Sequence, residues 1–172
     1  MDLMFDELDT ELGTIALVCN EVHLIAVEFQ GFMARMDAHL KARYGDFRLA
    51  RVADPLNITS RLEDYFHGDF ASLSGIAVDL FGTDFQQSVW RALREIPVGE
   101  TVSYGQLAAR IGKPSASRAV GMATSKNPIG IVVPCHRVIG ADGSLTGYAG
   151  GVERKRWLLA HEQIGGQLSL PC

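Results

Sequence analysis

Three cysteines in 172 residues, at positions 19, 135 and 172, are too few and too scattered for a disulfide framework, and their odd number leaves one unpaired. That scarcity points to a reducing cytosol, so a cytoplasmic protein is expected. No apolar run approaches the roughly 18 residues that would span a bilayer. The acidic start Met1-Asp2-Leu3-Met4-Phe5-Asp6-Glu7 has no basic flank leading into an apolar stretch, so neither a membrane partner nor a secretory leader is expected. Nucleotide fingerprints are missing too. The glycine-rich Gly147-Tyr148-Ala149-Gly150-Gly151 has neither dinucleotide nor P-loop spacing, which argues against nucleotide cofactors, S-adenosylmethionine included. Cys19 and His23 have no second Cys or His at zinc-ligand spacing and read as a strand cysteine and a surface histidine. Neither a metal nor a cofactor is expected.

What the chain does contain is ordinary in bulk and uneven in detail. A hydrophobic fraction of 47% and a charged fraction of 21% are those of a soluble globular protein, one domain or two small lobes in size. The net charge of −4 hides a split: residues 1–82 carry 6 Lys/Arg against 14 Asp/Glu (−8), and residues 83–172 carry 10 against 6 (+4). The basic part permits a polyanionic partner, although such a split is also what a solvated face produces.

Periodicity divides the chain at the same place. Thr14–Cys19 and His23–Phe29 read as two strands joined by a short polar turn, with Ile25, Val27 and Phe29 alternating onto one face, and Ala77–Phe81 as a third. Phe32, Met36, Leu40 and Tyr44 form one helical stripe, and Ile58, Leu62, Tyr65 and Phe66 another. Thr83 with Gln86 and Ser103 with Gln106 are two capping boxes, opening helices that end at Pro97 and at Gly112. A further helix over about 115–126 makes a helix-turn-helix with its predecessor, a pattern that an ordinary helical hairpin fits equally well. Eight of its twelve residues are small, including Ser115 and Ala119, and only Arg118 and Lys126 are long and basic. Such a helix approaches a duplex closely but has little with which to read base edges, which favours shape or minor-groove binding.

The segment Ile131-Val-Val-Pro-Cys-His-Arg-Val-Ile139 reads as a buried strand-like stretch bent by Pro134. Cys135 is either a structural core thiol or a nucleophile; an adjacent imidazole and guanidinium are the groups that activate a thiolate. In the last helix, about 152–163, Glu162 falls three and four positions after Leu159 and Leu158, on the inward face and at the end where a carboxylate opposes the helix dipole. It is either a frayed surface residue or the partner of a cation or imidazole. The tail from 165 reads as disordered, with Cys172 a spectator thiol.

Pro134-Cys135-His136-Arg137-Val138, with Arg118-Ala119-Val120-Gly121 and Asn127-Pro128 before it and Gly147-Tyr148, Gly150-Gly151 and Trp157-Leu158-Leu159-Ala160-His161-Glu162 after it, resembles the O6-alkylguanine-DNA alkyltransferases, also called methylated-DNA–protein-cysteine methyltransferases. The resemblance runs from Thr83 to Glu162 and more loosely through the N-terminal part. It implies an α+β protein: a structural lobe over 1–82 with a short antiparallel-rich sheet and helices, and a mostly helical domain over 83–172 with a winged-type helix-turn-helix. It further implies a monomer that binds double-stranded DNA, extrudes O6-alkylguanine and moves the alkyl group irreversibly to Cys135, once per molecule. By resemblance His136 is the base acting through water, Glu162 orients it, and the Tyr104 hydroxyl donates toward the departing guanine. Arg118 fills the gap left in the stack, with Ser115, Ala119 and Lys126 along the same DNA-facing helix. Asn127 braces the turn, while Val138, Tyr148 and Ala149 line the base site, the first and last through backbone groups. The zinc site of some relatives is incomplete here. The rival readings are a DNA- or lesion-binding module without transfer and a multiple-turnover cysteine hydrolase.

Overall fold

The protein is described by a computed structural model covering residues 1–163. The expectations for the tail and Cys172 fall outside these residues. The chain forms two compact units, one of Met1–Phe81 with Pro128–Val132 and the other of Gly82–Asn127 with the chain from Val133.

The first unit is built on a four-stranded sheet in the order β3-β2-β1-β4: β1 (Asp2–Thr10), β2 (Gly13–Cys19), β3 (Leu24–Phe29) and β4 (Arg48–Arg51). The β1–β2 and β2–β3 pairings are antiparallel and β1–β4 is parallel. β2 and β3 form where the sequence places strands, but β3 is buried on both faces rather than alternating. β1 escapes it because Asp2, Asp6, Glu7 and Asp9 interrupt the apolar alternation. Its buried Asp6 is satisfied by Thr59 Oγ1 at 2.7 Å, the Asp54 amide at 3.0 Å and Arg51 at 3.3 Å, as a desolvated carboxylate requires. The expected strand Ala77–Phe81 is not formed. Only Val78 bridges, in parallel, to Leu24, held by hydrogen bonds from the Leu24 amide to Ala77 and from the Asp79 amide to Leu24. Helix α1 (Met33–Tyr44) lays Met36 and Leu40, one turn apart, into the core with Leu3, Val18 and Ile25. Each such burial contributes roughly 1.5–3 kcal/mol. Helix α2 (Ile58–Phe66) adds Ile58, Leu62 and Tyr65.

The second unit is mostly helical. Both capping boxes are present, at Thr83/Gln86 for α3 (Asp84–Arg94) and Ser103/Gln106 for α4 (Tyr104–Arg110). Gly112 takes φ +76 after α4, and α5 (Ser117–Ser125) completes the helix pair. Trp90 ties α3 to α5 by donating from Nε1 to the Ala123 carbonyl at 2.8 Å. Gly82 makes room for that indole, since a Cβ there would lie 2.6 Å from its ring carbons. The strand pairing among the described residues of this unit is a parallel pair, β5 (Val102–Ser103) with β6 (Val138–Ile139), rather than the antiparallel hairpin of a wing. Helix α6 (Val152–His161) follows.

Candidate active site

The strand-like expectation for 131–139 is corrected to a chain of tight turns, with strand geometry only at Val138–Ile139. Proline is the reason next to Cys135; ahead of it Ile131, at φ +68, centres a separate turn in which the Val132 amide donates to the Gly130 carbonyl at 2.7 Å. Pro134, at φ −83 and ψ 66, centres an inverse γ-turn in which the Cys135 amide donates to the Val133 carbonyl at 2.8 Å. The buried Asn127 Nδ2 donates to that same carbonyl, also at 2.8 Å, and so braces the turn. Cys135 then opens a single 3-10 turn over Cys135–Arg137. Its thiol is in no disulfide and is half-buried, whereas His136 and Arg137 are buried. The Cys135 carbonyl accepts from the Val138 amide, which leaves it one lone pair.

Glu162 is the C-cap of α6 and is only 1% exposed. It takes both partners the sequence left open. His136 Nε2 donates to Oε2 at 2.8 Å, Arg137 Nε to Oε1 at 2.8 Å and Arg137 Nη2 to Oε2 at 2.9 Å. Arg137 Nη1 also donates to the Ile96 carbonyl. Burial alone would raise the Glu162 carboxyl. The facing His136 charge, then the hydrogen bonds from Arg137 and His136, outweigh it and hold the group well below the usual carboxylate range. An ionised carboxylate only accepts, so Nε2 is the nitrogen that donates to it, and the lone pair of an unprotonated ring falls on Nδ1. Nδ1 is the buried side-chain nitrogen or oxygen without a hydrogen-bond partner among the described residues. A desolvated imidazole, oriented by an anion and beside a thiol in sequence, is equipped to take a proton.

Tyr104, the first residue of α4, is half-buried and packs its ring 3.7 Å from where a Cβ on Gly121 would stand. This gives one of the small residues of α5 a structural purpose. The phenol donates to the Thr146 carbonyl at 3.0 Å. Burial, followed by the nearby Cys135 charge, pushes the phenol up, so it keeps its proton at neutral pH. Gly147, at φ +73, presses against this phenol: a Cβ would stand 2.9 Å from the hydroxyl oxygen. For Gly147→Ala we expect a loss of about 1–3 kcal/mol from strain and crowding, with a slower thiol-transfer rate once Tyr104 is displaced. Urea denaturation alongside single-turnover kinetics checks both.

Two side chains here take roles beyond those expected from the sequence. Arg137 is expected only as a neighbour of the thiol, yet it clamps Glu162 with two nitrogens. Lys155 is fully interior at 1% exposure, and its Nζ donates to Thr146 O at 2.8 Å. The signal was available: Lys155 lies three and four residues before Leu158 and Leu159, on the inward face that also carries Glu162.

Ser115, Arg118, Ala119 and Lys126 are exposed, and Met122, one turn beyond Arg118, is 63% exposed between them. Val138 is buried in β6, while Tyr148 and Ala149 are half-buried in the loop before α6. The turn residues Asn127 and Cys135, the Cys135-coupled Tyr104 and the His136–Glu162 pair thus belong to one unit, with the Arg118 helix as a separate exposed face of it.

Residues 84–164 match the family model described as 6-O-methylguanine DNA methyltransferase, DNA binding domain. A Salmonella typhimurium protein named methylated-DNA–protein-cysteine methyltransferase is 48% identical over 163 residues, 93% of this chain and 95% of its own. The crystal structure of Mycobacterium tuberculosis O6-methylguanine methyltransferase superposes with TM-score 0.79 at 39% identity, covering 94% of this chain and 93% of that one. The Mycobacterium tuberculosis OGT solved in complex with DNA gives 0.77 at 40% identity with the same coverages. On this sequence identity across nearly its full length, the chain belongs to the methylated-DNA–protein-cysteine methyltransferase family.

Proposed function

We propose that this protein repairs DNA by direct reversal, drawing O6-alkylguanine out of a duplex and moving the alkyl group to the sulfur of Cys135. The observation that carries the site assignment is the His136 Nδ1 atom, buried and without a hydrogen-bond partner on a ring whose Nε2 meets Glu162 at 2.8 Å. Through a water it takes the Cys135 proton. The thiolate attacks the alkyl carbon, an S–C bond forms, and the C–O6 bond breaks with its electron pair passing into the purine. Tyr104 keeps its proton and donates toward the departing guanine, exchanging the Thr146 carbonyl for the base. A duplex hides O6, so the nucleotide has to leave the stack, which costs a few kcal/mol and less at a damaged pair. Arg118, on the exposed face of α5, takes the vacated place; Ser115, Ala119 and Lys126 seat that helix against the backbone. Val138, Tyr148 and the Ala149 amide border the extruded base.

The product is a thioether that this chain has no cofactor fingerprint to reverse, so one molecule acts once. No described helix is long and apolar enough to cross a membrane. We place the work in the cytoplasm, where thiols stay reduced. A DNA-binding module without transfer would leave the tautomer-fixed imidazole behind the thiol with no task.

Intact-protein mass spectrometry after incubation with an O6-methylguanine duplex separates the readings. We expect a gain of one methyl group, mapped to Cys135, at no more than one per protein, and none in Cys135→Ala. Transfer that survives Cys135→Ala, or turnover above one, refutes the assignment.

A further inference from the structure

Glu162 is already shared by His136 and Arg137, yet the same interior holds a second cation, Lys155, with no carboxylate at ion-pair distance among the described residues. Its ammonium has three protons to place. One goes to the Thr146 carbonyl, which also receives the Tyr104 hydroxyl, and the Nζ stands 5.9 Å from the centroid of the Tyr104 ring. A buried ammonium with neutral neighbours is an unfavourable arrangement unless an anion is supplied. Among the described residues, the ionisable groups that face it are Tyr104 from α4, whose ring lies beneath the Nζ, and Cys135 from the turn that packs on α6. Tyr104 stays neutral, which leaves the sulfur.

We propose that Lys155 is the counter-ion of the Cys135 thiolate, and that alkylation, by turning that anion into a neutral thioether, leaves Lys155 as a buried charge without a partner. The proposal rests on Cys135 being the alkyl acceptor. Before transfer the sulfur carries −1. The S–C bond then forms, the C–O6 bond breaks, and the purine accepts the electron pair and the proton that His136 had taken from the thiol, so the sulfur ends neutral beside Lys155. Burial lowers Lys155 to about 8, and the Cys135 charge opposes that fall. Coupling between two charges is reciprocal: the ammonium favours the thiolate by as much as the thiolate favours the ammonium. Loss of the anion therefore drops Lys155 toward neutrality and releases a fraction of a proton at physiological pH. Lys155 is thus a positioning residue for the reaction, and the repaired protein differs electrostatically from the unreacted one at this point.

The pH dependence of Cys135 alkylation by iodoacetamide tests the first half without any DNA. In Lys155→Met the midpoint is expected to rise by about one unit, roughly a tenfold slower reaction at neutral pH, and Lys155→Arg should return it toward the wild-type value. An unmoved midpoint in a folded Lys155→Met protein overturns the proposal. Should that variant not fold, NMR titration of the Lys155 side chain in wild-type protein decides. Its midpoint must fall when Cys135 is carbamidomethylated; an unchanged midpoint overturns the pairing. Because iodoacetamide modifies the thiol whatever the natural substrate, failure here is distinct from failure of methyl transfer from DNA.

Discussion

Glu162→Gln will slow Cys135 alkylation by about 10²–10⁴ and destabilise the fold by roughly 3–5 kcal/mol. The substitution is nearly isosteric, so neither effect comes from a cavity. Three donors converge on the wild-type carboxylate, two from Arg137 and one from His136. A glutamine offers one acceptor oxygen and an amide that donates, so an N–H must face another N–H. The cheapest relief is for His136 to move its proton to Nδ1 and accept from the amide through Nε2. That turns the atom assigned as the base into a donor, while Arg137 stays interior without its counter-charge. The alkylation midpoint therefore rises in pH as well as the plateau falling, and an unchanged pH profile would remove Glu162 from the activation of the thiol.

The same carboxylate sets an acid limit on wild-type stability. Its folded value lies below its ordinary 4.5, so the unfolded chain binds the proton more readily. The contribution is complete above that pH, declines as pH falls below it, and disappears only where the folded carboxyl itself protonates. Melting temperatures below pH 4.5 should therefore fall more steeply in wild type than in Glu162→Gln.

How far the sequence foretells this centre depends on whether chemistry or packing writes the signal. Capping boxes at Thr83 and Ser103 and the inward placement of Glu162 are local facts, set by residues three or four apart, and the structure carries them. β1 is hidden because its buried Asp6 is satisfied by Thr59 and Asp54, far along the chain. Ala77–Phe81 has strand composition but little partner: pairing depends on a neighbour's free edge, which no periodicity reports. The bend at Pro134 was foreseeable from proline, whereas the turn at Ile131 has no sequence signal and the Thr146 carbonyl shared by Tyr104 and Lys155 joins residues 42 and 9 positions apart, visible only in three dimensions.

Arg118→Ala should lower methyl transfer from duplex DNA about 10²-fold while leaving reaction with a free O6-alkylguanine base close to wild type. Arg118 is exposed on α5, whose buried residues are Val120, Ala123 and Thr124, so its loss disturbs no core. It is also the only long cation on that helix before the Lys126 cap, in a surface otherwise made of small side chains and Met122. Removing the group proposed to occupy the vacated position would leave extrusion, worth a few kcal/mol, without its main compensation, and each 1.4 kcal/mol is tenfold. The free base needs no extrusion and meets the same thiol, imidazole and phenol. Parallel loss on both substrates would mean instead that Arg118 supports the fold of the helix pair, and the helix would then need another residue to hold the duplex open.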